Sequence, residues 1–186
     1  MIDTSDFRNG ISIILDGEIY SIVEFQHVKP GKGGAFVRTK LKNLRAGSTL
    51  EKTFRAGEKM EQAILDRKKL TFQYNQGDEY VFMDMESFDQ IPVSAAAIGS
   101  GVKYLKDNTE VEVTTHNDRI LGVELPMTME FEVTETDPGL RGDTASGGSK
   151  PATLETGAVV NVPLFVNIGD RIRVDTRTDN YLERAK

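Results

Sequence analysis

With 186 residues, 38% of them hydrophobic, 8% aromatic and none Trp, the chain is long enough for one ordinary domain or for several small ones with modest cores. The absence of Cys excludes disulfides, thiolate catalysis and cysteine-ligated zinc, and suits a reducing compartment. The formal net charge of -6 hides a basic stretch: residues 25–50 contain no Asp or Glu but carry Lys29, Lys32, Arg38, Lys40, Lys42 and Arg45. Residues 1–64 hold ten basic and eight acidic side chains, against thirteen and twenty-one in the remainder. A basic end on an acidic body favours one orientation on a phosphate-rich partner. The opening residues lack the apolar run of a signal peptide, and no run approaches the roughly 20 apolar residues of a membrane span, so the expectation is a cytoplasmic protein without membrane contact.

In chain order, residues 10–27 read as a β-hairpin: two apolar runs flank Asp16-Gly17, a strong short-range hairpin signal. A second hairpin follows, whose tip gathers Pro30, Gly31, Gly33 and Gly34 around Lys32. The backbone there must turn sharply, and one long cationic side chain is left projecting. From Ala35 the pattern has period two, which places Arg38, Lys40 and Lys42 together beside that tip. Residues 43–48 read as a loop, 49–55 as a strand and 56–65 as a short helical turn. Short strands this dense predict a small SH3-like barrel, KOW-like in type, over residues 1–65.

A second unit, residues 66–127, contains strands at 69–74 and 79–84, a brief helix at 92–99 capped by Ser94 and stopped by Gly99 or Gly101, and a hairpin turning at Asn117-Asp118. A third, residues 128–186, has an alternating strand at 128–136, a Gly/Ser/Thr/Asp-rich loop at 137–151 and further strands at 158–166 and 171–177 around a Gly169-Asp170 turn. Both fit the outline of an OB-fold. Val111-Glu-Val-Thr-Thr and Ile172-Arg-Val-Asp-Thr are a weak echo of each other. The expected fold is therefore all-β, three small barrels in line. At about 60 residues each, units roughly 25–30 Å across would make a rod on the order of 80 Å long, comparable with a folded tRNA.

Catalytic constellations are missing. His27 and His116 are the two histidines and fall in different predicted units, so their spacing implies no nucleophile–base pair. Gly31-Lys-Gly-Gly lacks the spacing of a nucleotide-binding loop, and the alternating Glu130 and Glu132 are read as the wet face of a strand. The sequence favours a binding protein over an enzyme, with no metal or cofactor. Two other readings stay open: a permanent structural component of a ribonucleoprotein, and a small enzyme using Lys32 as an amine nucleophile.

Two motifs go further. Lys29-Pro-Gly-Lys-Gly-Gly-Ala-Phe, and Lys150-Pro-Ala-Thr-Leu-Glu-Thr-Gly-Ala-Val-Val-Asn-Val-Pro-Leu-Phe-Val-Asn-Ile-Gly169 followed by Asp175-Thr-Arg-Thr and Tyr181, make the chain resemble the translation elongation factor P family of bacteria over its whole length. Asp179-Asn180 departs from the family pattern, which usually has Gly after the Thr; both residues tolerate the same left-handed turn. The resemblance implies an N-terminal barrel followed by two OB-folds in a tRNA-like shape. It implies a cytoplasmic monomer bound to the 70S ribosome between the peptidyl and exit sites, stimulating peptide bond formation at consecutive prolines. Lys32 is then expected to carry a post-translational modification added by a dedicated enzyme and to reach the acceptor end of peptidyl-tRNA. Lys29, Arg38, Lys40, Lys42 and Arg45 would contact RNA phosphates of the tRNA and ribosomal RNA, while Gly142, Asp143, Thr144, Tyr181 and Arg184 would lie on the small-subunit side.

Overall fold

The computed structural model describes residues 1–139 and 148–186, which are almost entirely β. The first sheet contains β1 (Ile2–Asp3), β2 (Ser12–Leu15), β3 (Glu18–Val28), β4 (Phe36–Asn43), β5 (Thr49–Arg55) and β6 (Lys59–Ala63), in the order β1-β6-β2-β3-β4-β5. The β2–β3 turn is built as its Asp-Gly pair demands, with both residues left-handed at φ 51° and 82°. Between Ile22 and Glu24 the β3–β4 register shifts by one residue. That bulge at Val23 lets Ile22 and Phe25, three residues apart, both pack inward. Phe7 fills the centre, meeting the rings of Phe25 and Phe54 edge-on at 6.3 and 5.6 Å.

Residues 56–65 are not helical. Gly57, at φ 78°, turns the chain, and β6 then pairs antiparallel with β2 through Ser12↔Ala63, Ile13↔Gln62 and Ile14↔Glu61, and with β1 through Ile2↔Met60. The three-residue spacing of Met60 and Ala63, both buried, imitates one face of a helix. Open backbone groups on β1 and β2 decide the outcome in favour of a strand.

The second sheet joins β7 (Asp66–Gln76), β8 (Glu79–Met83), β9 (Gln90–Ser94), β10 (Glu110–His116) and β11 (Arg119–Glu124) in the order β11-β10-β7-β8-β9. Here the expected helix at 92–99 is half right. Its first residues belong to β9, an edge strand where Pro92 has no inner ladder bond to lose. The helix α1 (Ala95–Ile98) begins at the anticipated cap, with the Ser94 hydroxyl accepting from the Ala97 N–H at 3.3 Å, and stops at Gly99, φ 73°. A 3-10 segment, Gly99–Tyr104, continues from it.

The third sheet is a closed barrel of β12 (Thr128–Thr136), β13 (Ser149–Leu154), β14 (Val159–Pro163), β15 (Arg171–Asp175) and β16 (Asn180–Arg184), in the order β12-β13-β14-β16-β15. Met129, Phe131 and Val133 point inward from β12, as their alternation requires. The expected loop is shorter than the composition suggests, because residues 149–151 belong to β13, where Ser149 opposes Pro163 and Pro151 opposes Asn161. Lys150 is buried in that strand, donating to the Asp137 carbonyl. The echoing segments are β10 and β15, each beside the first strand of its own sheet.

The chain divides into two compact units, Met1–Arg67 with Thr114–Gly122, and Lys68–Val113 with Val123–Lys186. Within the second, segments distant in sequence pack together. Tyr104, fully buried, lies in the hydrophobic core of the barrel, its ring 5.4 Å from that of Phe131. Among the described residues no helix is long and apolar enough to cross a membrane.

Candidate nucleic-acid interface

The ladder pair Val28↔Phe36 closes the base of the loop at residues 29–35, and Ala56 N–H donates to the Ala35 carbonyl at 3.0 Å. Beyond that base, Lys29, Pro30, Gly31, Lys32, Gly33 and Gly34 are all exposed. Among the described residues no carboxylate pairs with Lys32, so its ammonium is available to a partner. The glycines differ. Gly33 has φ 106°, a conformation that side chains strain, although an added Cβ would meet only Pro30 Cγ at 4.0 Å. Gly31 and Gly34 have no such φ, and a Cβ on either would point into open space. The fold itself thus requires glycine at one of the three positions.

Strand β4 alternates as predicted. Val37, Thr39, Leu41 and Asn43 are buried, and Arg38, Lys40 and Lys42 are exposed on the other face. Their neighbours make these bases unequal. Arg38 lies between Gln26 and Thr53 and Lys42 between Ser21 and Thr49, whereas Lys40 lies between Glu24 and Glu51. Opposite charges directly across a ladder attract, so Lys40 offers less free charge to a phosphate. The Arg38 guanidinium sits 5.8 Å from the Phe36 ring centroid, next to the loop.

Lys42 and Arg45 are not beside the tip. They lie at the other end of the eight-residue β4, which at about 3.3 Å per residue puts roughly 25 Å between that end and the loop. There the Asn43 side-chain oxygen accepts from the Arg45 and Ala46 N–H groups, both at 2.8 Å, fixing the turn that carries Arg45. The structure therefore brings Lys29, Lys32 and Arg38 together at one end and leaves Lys42 and Arg45 at the other.

In the barrel, Tyr181 opposes Val174 and packs partly buried against the core. Arg184 is anchored, donating to the Phe165 carbonyl at 2.7 Å and to Asp170 Oδ2 at 2.9 Å, with its guanidinium 4.9 Å from the Phe165 ring centroid. Gly142, Asp143 and Thr144 lie outside the described residues. On either side of that segment a Cβ on Gly139 would fall 2.4 Å from the Leu164 carbonyl oxygen, and one on Gly148 would fall 3.3 Å from Leu164 Cδ1. Both flanks therefore pack against one residue at the end of β14.

Sequence reasoning missed a clasp. Asp179, left-handed at φ 60°, accepts a hydrogen bond from the Tyr104 hydroxyl at 2.6 Å and pairs with Lys103 Nζ at 2.9 Å. These partners hold the Asp179 carboxyl below its ordinary range, the Tyr104 hydroxyl contributing most and the Lys103 ammonium next. Burial pushes the Tyr104 hydroxyl above its own range, and its bond to Asp179 adds to the shift. Nearby, Lys106 donates to the Glu130 carbonyl and pairs with Glu155 at 3.2 Å. A polar residue where glycine is common was the available signal, but its partner, 75 residues away, was not legible.

Three family models match successive stretches of the chain. Residues 3–60 match the model for the elongation factor P KOW-like domain, residues 65–123 that for the elongation factor P OB domain, and residues 129–184 that for the elongation factor P C-terminal domain. Elongation factor P of Pelotomaculum thermopropionicum is 58% identical over 185 residues, covering 100% of both chains. That of Moorella thermoacetica is 55% identical with the same coverage. Among solved structures, translation initiation factor 5A from Methanococcus jannaschii superposes with a TM-score of 0.53 over 67% of this chain and 90% of its own, at 24% identity, a likeness of fold. A KOW-like sheet followed by OB architecture, each stretch matched by its family model, defines a class of translation factor. The chain belongs to the bacterial elongation factor P family, and its role is in translation elongation.

Proposed function

We propose that this factor binds the 70S ribosome between the peptidyl and exit sites and speeds peptide bond formation at consecutive prolines by steadying the acceptor end of peptidyl-tRNA with Lys32. The observation that carries the reading is the exposed, unpaired Lys32 at a tip with no other long side chain than Lys29. Proline is a rigid secondary amine and a poor nucleophile, so a loosely held peptidyl-tRNA spends little time in reactive geometry. Restraining its acceptor end raises the rate by orientation, each ~1.4 kcal/mol of recovered ordering being worth about tenfold. Lys32 acts as a donor and a point charge toward the sugar-phosphate backbone; the factor makes and breaks no bond and works without cofactor or metal. A modification added to Lys32 by a dedicated enzyme lengthens the arm and extends its reach.

Gly31 and Gly34 support the same reading: glycine is unnecessary there for the fold, and what a side chain would meet is then outside the molecule. Lys29 and Arg38 hold RNA phosphates beside the tip, with Lys40, Lys42 and Arg45 further along. Residues 142–144, Tyr181 and Arg184 face the small subunit. The factor works as a cytoplasmic monomer of three domains, residues 1–65, 66–127 and 128–186. Lys32→Ala tests this. It should fold normally and bind ribosomes with modestly reduced affinity, yet lose most stimulation of prolyl-prolyl bond formation in reconstituted translation. Full stimulation by the variant would end the proposal. Mass spectrometry of the Lys32 peptide from native cells should show added mass, and unmodified lysine alone would refute the modification.

A further inference from the structure

The far end of β4 belongs to a second feature of the first compact unit. Arg45, His116 and Arg119 line a depression of about 400 Å3 together with Ile14, Glu18 and Ile120. We propose that this depression is a second phosphodiester-binding site, separate from the Lys32 tip, in which Arg45 and Arg119 grip the backbone of an RNA bound to the same ribosome. The inference rests on the ribosomal reading above.

Two arginines are held there on rigid supports. The turn carrying Arg45 is fixed by the Asn43 side chain, itself 8% exposed, and by Leu44 N–H donating to the Ile19 carbonyl at 3.0 Å. Arg119 opens β11 directly after the Asn117-Asp118 turn, whose residues are left-handed at φ 47° and 62°. The base of that hairpin is tied down by His116, whose Nδ1 lies 2.8 Å from the Ile64 carbonyl and must therefore carry the proton. His116 Nε2 faces the Asn117 amide nitrogen at 3.3 Å and serves as an acceptor. Both ring nitrogens thus have a partner, and His116 is a positioning residue.

Charge favours an anion. The unit carries twelve basic and ten acidic side chains, whereas the other carries eleven and nineteen. Among the described residues Glu18 is the one carboxylate lining the depression. It reaches Arg45 at 3.9 Å, with the arginine side chain 79% exposed, a pairing too long and too wet to hold the guanidinium against a phosphate. Guanidinium groups bind phosphate bidentately. The roughly 25 Å between this end of β4 and the tip means that the two sites take different stretches of RNA backbone.

The test is binding to 70S ribosomes stalled with peptidyl-tRNA, measured across a salt series. Arg45→Gln with Arg119→Gln should reduce the slope of log affinity against log salt by about 1.5, since each phosphate neutralised by the factor adds about 0.7–0.9 to that slope. Glu18→Gln should tighten binding about twofold or more. A double-variant slope equal to wild type in protein with an unchanged melting temperature would overturn the proposal, as would weaker or equal binding by Glu18→Gln. Should the double variant melt earlier, Arg45→Lys with Arg119→Lys must restore the slope. A photocrosslinker, p-benzoylphenylalanine, in place of the exposed Ala46 should join RNA; crosslinks to ribosomal protein alone would assign the depression to a protein partner and reject the proposal. Failure of the Lys32 reading is separate, because it is scored by stimulation at saturating factor, whereas this proposal is scored by the salt slope of the Arg45 and Arg119 variants in protein that keeps Lys32.

Discussion

Lys32 owes its availability to what surrounds it: exposed glycines, and no carboxylate in reach among the described residues. The three tip glycines can be separated by substitution. Gly33→Ala places a side chain at φ 106° and should cost about 1 kcal/mol or distort the loop, read as a lower melting temperature or as shifted amide resonances across residues 29–35. Gly31→Ala and Gly34→Ala should leave melting temperature and spectra unchanged, while lowering stimulation if the tip enters a narrow channel. At Asp179 the sign is set by a depressed carboxyl, whose ordinary value is 3.8. The clasp contributes fully above that value and is lost as pH falls through the lower folded value. Tyr104→Phe, which removes the hydroxyl and keeps the buried ring, should therefore destabilise by about 1–2 kcal/mol at pH 7. That difference should shrink below about pH 4. A constant difference down to pH 2 in chemical denaturation would show that the hydrogen bond to the carboxylate is not its source.

At the scale of elements, strand β4 presents three bases whose neighbours rank them. Arg38→Gln should lower the salt slope of ribosome binding by about 0.7–0.9, and Lys40→Gln by distinctly less, because Glu24 and Glu51 already flank Lys40. Equal effects would mean that the flanking carboxylates turn away on binding. The elements most legible in the sequence were those that local chemistry decides: the Asp16-Gly17 and Asn117-Asp118 turns, the Ser94 cap and the alternation of β4. Those misread were decided by partners. β6 forms because β1 and β2 need a neighbour. β13 was hidden by the Ser-Lys-Pro at its start, and β9 by a proline that only an edge position tolerates. The two-residue β1 offers too few residues for a period to show, and β16 buries only Tyr181 in part, so it carries no apolar alternation to read. The basic run was legible as a run, but its division between two ends of one strand needed the register.

For the whole molecule, charge is divided between the units, a slight basic excess in one and a strong acidic excess in the other. On a polyanion this division favours contact through the first unit and disfavours contact through the second. The long-range packing that fixes Tyr104 in the barrel core could not be anticipated from periodicity, since a lone aromatic after a glycine-rich turn announces no partner. On the function proposed above, the factor accelerates peptide bond formation by restraining another molecule without joining the chemistry. Orientation appears as activation entropy, so the most direct measurement is the temperature dependence of the prolyl-prolyl step with saturating factor, with Lys32→Ala and with none. Wild type should lower the barrier through a less unfavourable activation entropy, and Lys32→Ala should forfeit this gain. A lower activation enthalpy with unchanged entropy, or an equal gain from the variant, would contradict the proposed function.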